Sequence, residues 1–167
     1  MSALKVGDSF PQDVSFTWIA PSPENSEFSA CGIPQKYNAS EIAKDKKIVI
    51  VAVPGAFTPT CSANHVPGFI AKAEELKAKG IDQVVFIAHN DAYVMSGWGK
   101  ANKINDEFII FASDDETKFS SALGWTLGPR AARYAIVVDH GKVTYAEKEE
   151  APSGVSVSGA DAVIAKL

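Results

Sequence analysis

Apolar positions along the chain follow two patterns. Lys47-Ile48-Val49-Ile50-Val51-Ala52-Val53 is a near-continuous apolar run rich in β-branched residues, which predicts a central strand buried on both faces. Gln83 to Ala88, Phe108 to Ala112 and Arg133 to Val138 predict three further apolar strands, and Val14 to Ile19 alternates loosely enough to predict another. Val66, Phe69, Ile70, Ala73 and Leu76 recur at helical spacing, so a helix is expected from just after Thr58 to about Lys79, with Gly80 as a left-handed stop. Pro67 removes one N–H inside that helix, and a kink is expected there. Asp91 to about Lys103 and Ser158 to Leu167 read as two more helices, while Asp139-His140-Gly141-Lys142 reads as a hairpin turn leading into Val143 to Ala146. Pro21 to Asn38 has neither period. Its Pro, Ser, Asn and Gly residues predict a long turn-rich segment, and such segments in compact domains are usually functional or mobile. This one carries Cys31.

Strand, helix, strand, helix, then an antiparallel hairpin and a last helix is an α/β layer pattern. The thioredoxin fold has this order, with insertions, and the expectation is a single domain over 1–167 with a central mixed sheet flanked by helices. The 167 residues, 46% apolar and 22% charged, have the balance of an ordinary globule, large enough to fold without a disulfide or metal. A net charge of −4 argues against general affinity for nucleic acid or anionic lipid. No run approaches the ~20 apolar residues of a membrane span, and the first eight residues lack the apolar core of a secretion signal. Two cysteines in such a chain point to a reduced compartment where thiols act as chemistry. The cytoplasm fits. So does the peroxisome, because Ala165-Lys166-Leu167 differs at one small residue from the Ser-Lys-Leu address, although a helix ending in common residues reads the same way.

Chemistry concentrates in Pro54-Gly55-Ala56-Phe57-Thr58-Pro59-Thr60-Cys61-Ser62, which follows a buried strand and opens a helix, the usual place for ligands in open α/β sheets. Pro59 suits a first helical turn, and Thr58 before it could cap the helix or turn its hydroxyl to a ligand. Cys61 then falls in the first turn, near N–H groups without intrahelical partners. A free thiol is only about 3% thiolate at pH 7, and helix N-termini or nearby cations can ionise it fully, a gain of roughly 30-fold. Falling nucleophilicity returns part of that. A fast thiol reaction therefore also needs donors that stabilise charge as a bond breaks.

Pro54, Thr58 and Cys61 complete a Pro-x-x-x-Thr-x-x-Cys signature, and here the chain resembles the peroxiredoxin family. The surrounding nonapeptide is similar to the peroxiredoxin-5 group, including fungal and plant type II members. The likeness continues through His65, Pro67, Asn90-Asp91-Ala92-Tyr93-Val94, Trp98-Gly99 and Arg133-Tyr134-Ala135. The resemblance implies a thiol-dependent peroxidase acting on hydrogen peroxide and organic hydroperoxides, with no bound cofactor. Cys61 would be the peroxidatic cysteine, Thr58 its hydrogen-bonding partner, Pro54 the shield of the pocket and Arg133 the cation beside the thiolate. Arg130 is a rival to Arg133, which is preferred because it immediately precedes the apolar run. His65, one turn beyond Cys61, could tune the thiol or serve in the pocket wall.

A sulfenic acid on Cys61 must meet a second thiol. Fungal members of the family carry an early cysteine that resolves across a dimer interface, and Cys31 matches that role by resemblance. Resolution within one subunit, or an inert Cys31 with glutathione acting directly, are the other readings. The late resolving position of human-type members falls near 151–155, which has no cysteine here. Electrons would come from thioredoxin, or from glutaredoxin and glutathione. A homodimer is expected, with Thr58 and Trp98 near regions resembling the family's dimer face and exposed aromatics favouring contact. Metal binding is poorly supported by His65, His89 and His140, and no Cys-x-x-Cys is present. A cysteine hydrolase, a redox-sensing adaptor or a holdase on the same fold are the competing roles.

Overall fold

Six-residue runs of Val, Ile and Ala pair most simply with one another, and they form the middle of a seven-stranded sheet. The computed structural model describes all 167 residues. The sheet contains β1 (Phe16–Trp18), β2 (Gln35–Tyr37), β3 (Lys47–Ala52), β4 (Gln83–Ala88), β5 (Ile109–Ser113), β8 (Tyr134–Asp139) and β9 (Lys142–Lys148), in the order β2-β1-β5-β4-β3-β8-β9. Strands β3, β4 and β5 run parallel, and the remaining pairings are antiparallel, so the sheet is mixed. A separate ribbon pairs β6 (Thr126–Leu127) with β7 (Arg130–Ala131).

Side chains alternate across β3 with period two, which divides the core. Ile48, Ile50 and Ala52 pack on one face with Tyr134, Ile136 and Phe119. Helices α1 (Ala39–Asp45) and α5 (Lys118–Leu123) contribute to that face. Val49, Val51 and Val53 pack on the other face, the one that holds Cys61. Helices α2 (Val66–Ala71), α3 (Ala73–Ala78), α4 (Ala92–Ala101) and α6 (Ala160–Ile164) cover that second face. The layers and the mixed sheet are those expected of a thioredoxin-like α/β fold.

Several elements depart from the expected bounds. The loosely alternating Val14 to Ile19 forms only a three-residue strand, paired on both sides. The long helix to Lys79 is interrupted twice. A wide π-type turn over Cys61–His65 precedes α2, and Lys72, at φ −102° and ψ 10°, separates α2 from α3. The wide turn lies just upstream of Pro67, whose ring cannot fit against the carbonyl four residues back and whose nitrogen has no hydrogen to give. The break in regular helix expected at Pro67 lies upstream of it, as the π-type turn holding Cys61, and Pro67 itself falls in the first turn of α2. The last helix covers Ala160–Ile164 rather than Ser158 to Leu167. Within the turn-rich segment, a short 3₁₀ turn at Pro23–Asn25 and β2 appear. The hairpin turn is as expected, with His140 at φ 47° and Gly141 at φ 83°, the left-handed pair that suits a two-residue connection.

Register decides what meets Cys61. Ala52 of β3 pairs with Tyr134 of antiparallel β8, so the end of β3 and the start of β8 lie side by side. Tyr134 in turn pairs with Lys148 of β9, and the Glu149 N–H donates to the Arg133 carbonyl at 2.9 Å. Arg133 thus follows Val53 across the sheet and faces Glu149 on its other side.

Candidate active site

Cys61 is 1% exposed, in the first helical turn after Pro59, and its Sγ accepts an N–H from Arg133 Nη2 at 3.2 Å. These residues are 72 positions apart, and the β3–β8 register brings them together. Arg133 is itself 3% exposed. Its Nη1 lies 2.9 Å from His65 Nδ1 and its Nε donates to the Pro152 carbonyl at 3.2 Å. No carboxylate oxygen comes within 4.0 Å of the guanidinium. A buried cation without a carboxylate needs its balancing charge from another neighbour. Arg130, the rival cation, is exposed on β7, and the hydrogen bonds to Cys61 and His65 come from Arg133 instead.

His65 is 1% exposed, and its partners fix its tautomer. A guanidinium can only donate, so Nδ1 must accept, and Nε2 carries the hydrogen and donates it to the Ser158 carbonyl at 2.8 Å. Burial is the main force that brings the His65 pKa down to about 4, and the Arg133 charge acts the same way. The Ser158 carbonyl and the Glu149 charge oppose them without prevailing. His65 is therefore a neutral acceptor that orients Arg133, and belongs to the pocket wall rather than to proton transfer.

The loop ahead of Cys61 is closely held. Pro54 and Gly55 are buried, and Asn90 Oδ1 accepts the Ala56 N–H at 2.8 Å. The Thr58 hydroxyl donates to the Gly55 carbonyl at 2.7 Å, while the Thr58 carbonyl accepts from the Ser62 N–H at 3.0 Å. The side chain does not act as a helix cap. Its single hydrogen is committed, so Oγ1 has only lone pairs to offer a ligand. A Cβ on Gly55 would lie 3.2 Å from Thr58 Cγ2, which accounts for a small residue there. Phe57, at φ 60°, is exposed beside this loop.

Trp98 is not an exposed aromatic. It is 1% exposed, packs on Phe86 and Phe111, and donates its indole N–H to Ser62 Oγ at 3.1 Å. The exposed apolar side chains here are Phe57, Tyr93 and Val94. Cys31 is an exposed free thiol, and no disulfide joins it to Cys61. Its loop is less loose than the composition suggests. Lys100 Nζ donates to the Ala30 carbonyl at 2.6 Å, and a Cβ on Gly32 would clash with Ile19 Cγ2. The structure therefore brings together Cys61, Arg133 and His65 under the Pro54–Thr58 loop and leaves Cys31 outside.

Residues 5–164 match the Redoxin family model. The chain is 52% identical over 166 residues to peroxiredoxin Pen c 3 of Penicillium citrinum, covering 99% of each chain. It is 48% identical over 166 residues to a putative peroxisomal peroxiredoxin of Lipomyces kononenkoae, covering 96% of this chain and 99% of that one. Reduced Prx3 of Vibrio vulnificus in complex with H2O2 is a similar solved structure, with TM-score 0.80, 37% identity, and 97% and 98% of the two chains covered.

The chain belongs to the peroxiredoxins. A peroxiredoxin is a thiol-dependent peroxidase, and it needs no prosthetic group because the electrons pass through sulfur. No group of three or more His, Cys, Asp or Glu residues in this peroxiredoxin could hold a metal ion, and no helix is long and apolar enough to cross a membrane. Two polar residues at the site were not singled out from the sequence, Glu149 and Ser158. Glu149 follows an amphipathic edge strand, and only its register opposite Arg133 distinguishes it from the neighbouring acids.

Proposed function

We propose that Cys61 is the peroxidatic cysteine and that Arg133 is its activating cation. The 3.2 Å contact between Arg133 Nη2 and Cys61 Sγ, made by a buried guanidinium with no carboxylate partner, carries this reading. The sulfur is the neighbour that can supply the balancing negative charge. A guanidinium has five N–H groups, and three are engaged by Sγ, His65 and Pro152, which leaves two for an incoming oxygen. Thr58 Oγ1, its own hydrogen given to Gly55, accepts the hydrogen of the hydroperoxide and orients it. Pro54 lines the approach and keeps bulk water from the sulfur.

The thiolate attacks the distal peroxide oxygen, forming an S–O bond as the O–O bond breaks. Sulfur is oxidised by two electrons to the sulfenate level. The alkoxide or hydroxide that leaves is stabilised by the free guanidinium N–H groups and takes up a proton to depart as alcohol or water. The substrates are hydrogen peroxide and organic hydroperoxides.

Cys31 of a partner subunit resolves the sulfenic acid, giving a disulfide and water. Exposure of the Cys31 thiol, flanked by the exposed side chains of Phe28 and Ile33, supports resolution between chains. Phe57, Tyr93 and Val94 supply apolar surface for a homodimer next to the site. Thioredoxin, or glutaredoxin with glutathione, then reduces the disulfide. A peroxisomal place is supported by the Lipomyces relative and by Ala165-Lys166-Leu167, although Leu167 partly packs onto the core and would have to be released to be read.

Peroxide consumption by the wild type, Cys61→Ser and Cys31→Ser proteins tests this, with thioredoxin and with glutathione plus glutaredoxin supplied separately. Cys61→Ser should abolish turnover with either reductant. Undiminished turnover in that variant would overturn the assignment.

A further inference from the structure

The Arg133 guanidinium is directed at Cys61 by two acceptors, His65 Nδ1 and the Pro152 carbonyl, and neither is fixed by the sheet alone. His65 depends on the Ser158 carbonyl. Both outer anchors therefore lie in the segment after β9, which is built largely of turns. One side chain organises that segment. Glu149, 6% exposed, accepts the Val157 N–H at 2.7 Å, the Ser158 N–H at 2.8 Å and the Ser158 hydroxyl at 2.9 Å on Oε1, and the Ser156 hydroxyl at 2.8 Å on Oε2. The Glu149 N–H donates to the Arg133 carbonyl at 2.9 Å, which closes a ring of hydrogen bonds through Arg133, His65, Ser158 and Glu149. The turn beneath is tight as well. The Gly154 N–H donates to the Ala151 carbonyl at 2.9 Å, and a Cβ on Gly154 would lie 3.1 Å from Glu149 Oε2.

The carboxylate placement matters for charge. Glu149 stands opposite Arg133 at the end of the β8–β9 ladder, where an ion pair would be the simplest outcome. Instead its carboxylate is satisfied by N–H and O–H groups of 156–158, and it makes no ion pair with Arg133. The guanidinium charge is thereby left for Cys61.

We infer that Glu149 is a positioning residue for the peroxidase reaction, holding the 150–158 segment so that the Pro152 and Ser158 carbonyls aim Arg133 at the sulfur and its substrate. Glu149 touches neither substrate nor sulfur. The inference rests on the assignment of Cys61 and Arg133 to the reaction.

Two substitutions separate geometry from charge. Glu149→Gln keeps an acceptor oxygen in the position of Oε1 and removes the charge. Glu149→Asp keeps the charge and withdraws it by one methylene, out of reach of Val157 and Ser158. The readouts are the single-turnover rate with hydrogen peroxide and the rate of Cys61 alkylation by iodoacetamide, both in a Cys31→Ser background and corrected for the folded fraction from thermal unfolding. Alkylation shares with the peroxide reaction any loss of thiolate support by Arg133, but does not use the guanidinium N–H groups that hold the peroxide oxygen, so the ratio of the two rates isolates that second role.

Glu149→Asp should slow the peroxide reaction about 10-fold or more, as expected for a sub-ångström misplacement of a catalytic group, and lower the ratio of peroxide rate to alkylation rate. Glu149→Gln should stay within about threefold of the parent. Equal loss in both variants, loss only in Glu149→Gln, or an unchanged rate ratio in a folded Glu149→Asp protein overturns the inference. If Cys61→Ser retained activity, the underlying assignment would fail first, so the two failures are distinguishable.

Discussion

In the proposed assignment two residues far apart in sequence, Cys61 and Arg133, carry the chemistry, and His65 and the Pro152 carbonyl hold the arginine in place. Arg133 presents a planar fork to three acceptors at once, which a lysine ammonium cannot reproduce. Arg133→Lys should therefore lower the rate of reaction with hydrogen peroxide about 100-fold, the usual cost of losing one aligned donor to a developing anion. Stopped-flow measurement of the first turnover checks this. His65 makes a separate prediction about stability. Its folded pKa of about 4 lies below its ordinary value of 6.5, so the unfolded chain binds a proton first as pH falls. The stability it confers is complete above about pH 6.5 and is lost as pH drops toward 4. Between pH 7 and pH 5 its share of the loss is about 2 kcal/mol by the linkage relation, measurable by urea unfolding. His65→Phe should lack that step. Glu149 adds to the loss at lower pH: burial alone would raise its pKa. The bonds from Ser158, Ser156 and Val157 outweigh this and hold its carboxyl below the ordinary value.

Elements with a continuous apolar run or a clear period were legible in the sequence, whereas α1, α5 and β2 were not. The runs forming β3, β4, β5 and β8 announced themselves by continuous β-branched and apolar residues, and α4 by its Asp91 start, whose carboxylate caps the Val94 N–H at 2.9 Å. Helix α1 buries only Ala39, Ser40 and Ala43, too little apolar pattern to register. Helix α5 is started by a tertiary cap. Buried Asp114 accepts the Phe119 and Ser120 N–H groups at 2.8 and 3.0 Å after left-handed Glu116 and Thr117, and residue type alone does not reveal that. At the site, the nonapeptide marked Cys61 and its loop, whereas the Glu149–Ser158 anchor depended on strand register. Helix α4 also shows what close packing demands. A Cβ on Gly99 would lie 2.9 Å from Phe111 Cδ2, so Gly99→Ala should cost about 1–3 kcal/mol through overpacking against β5, as read by chemical denaturation.

At the scale of the whole molecule, the sheet places the buried Cys61 sulfur beyond the end of its central strands and leaves a second, exposed thiol on a tethered outer loop. No disulfide joins the two thiols in this structure, and the proposed recycling route uses the Cys31 of a second copy. After one equivalent of hydrogen peroxide, non-reducing electrophoresis should show a covalent dimer for the wild type and none for Cys31→Ser. A disulfide formed within the monomer would instead favour resolution inside one chain. In the proposed reaction, peroxide oxygen arrives first at Cys61. Mass spectrometry of the Cys31→Ser protein after one equivalent of peroxide tests it most directly. A single added oxygen should appear on the peptide containing Cys61, and none when Arg133 is also replaced by Met under the same brief exposure. Peroxide consumed with Cys61 left unmodified, or equal oxidation without the arginine, would contradict it.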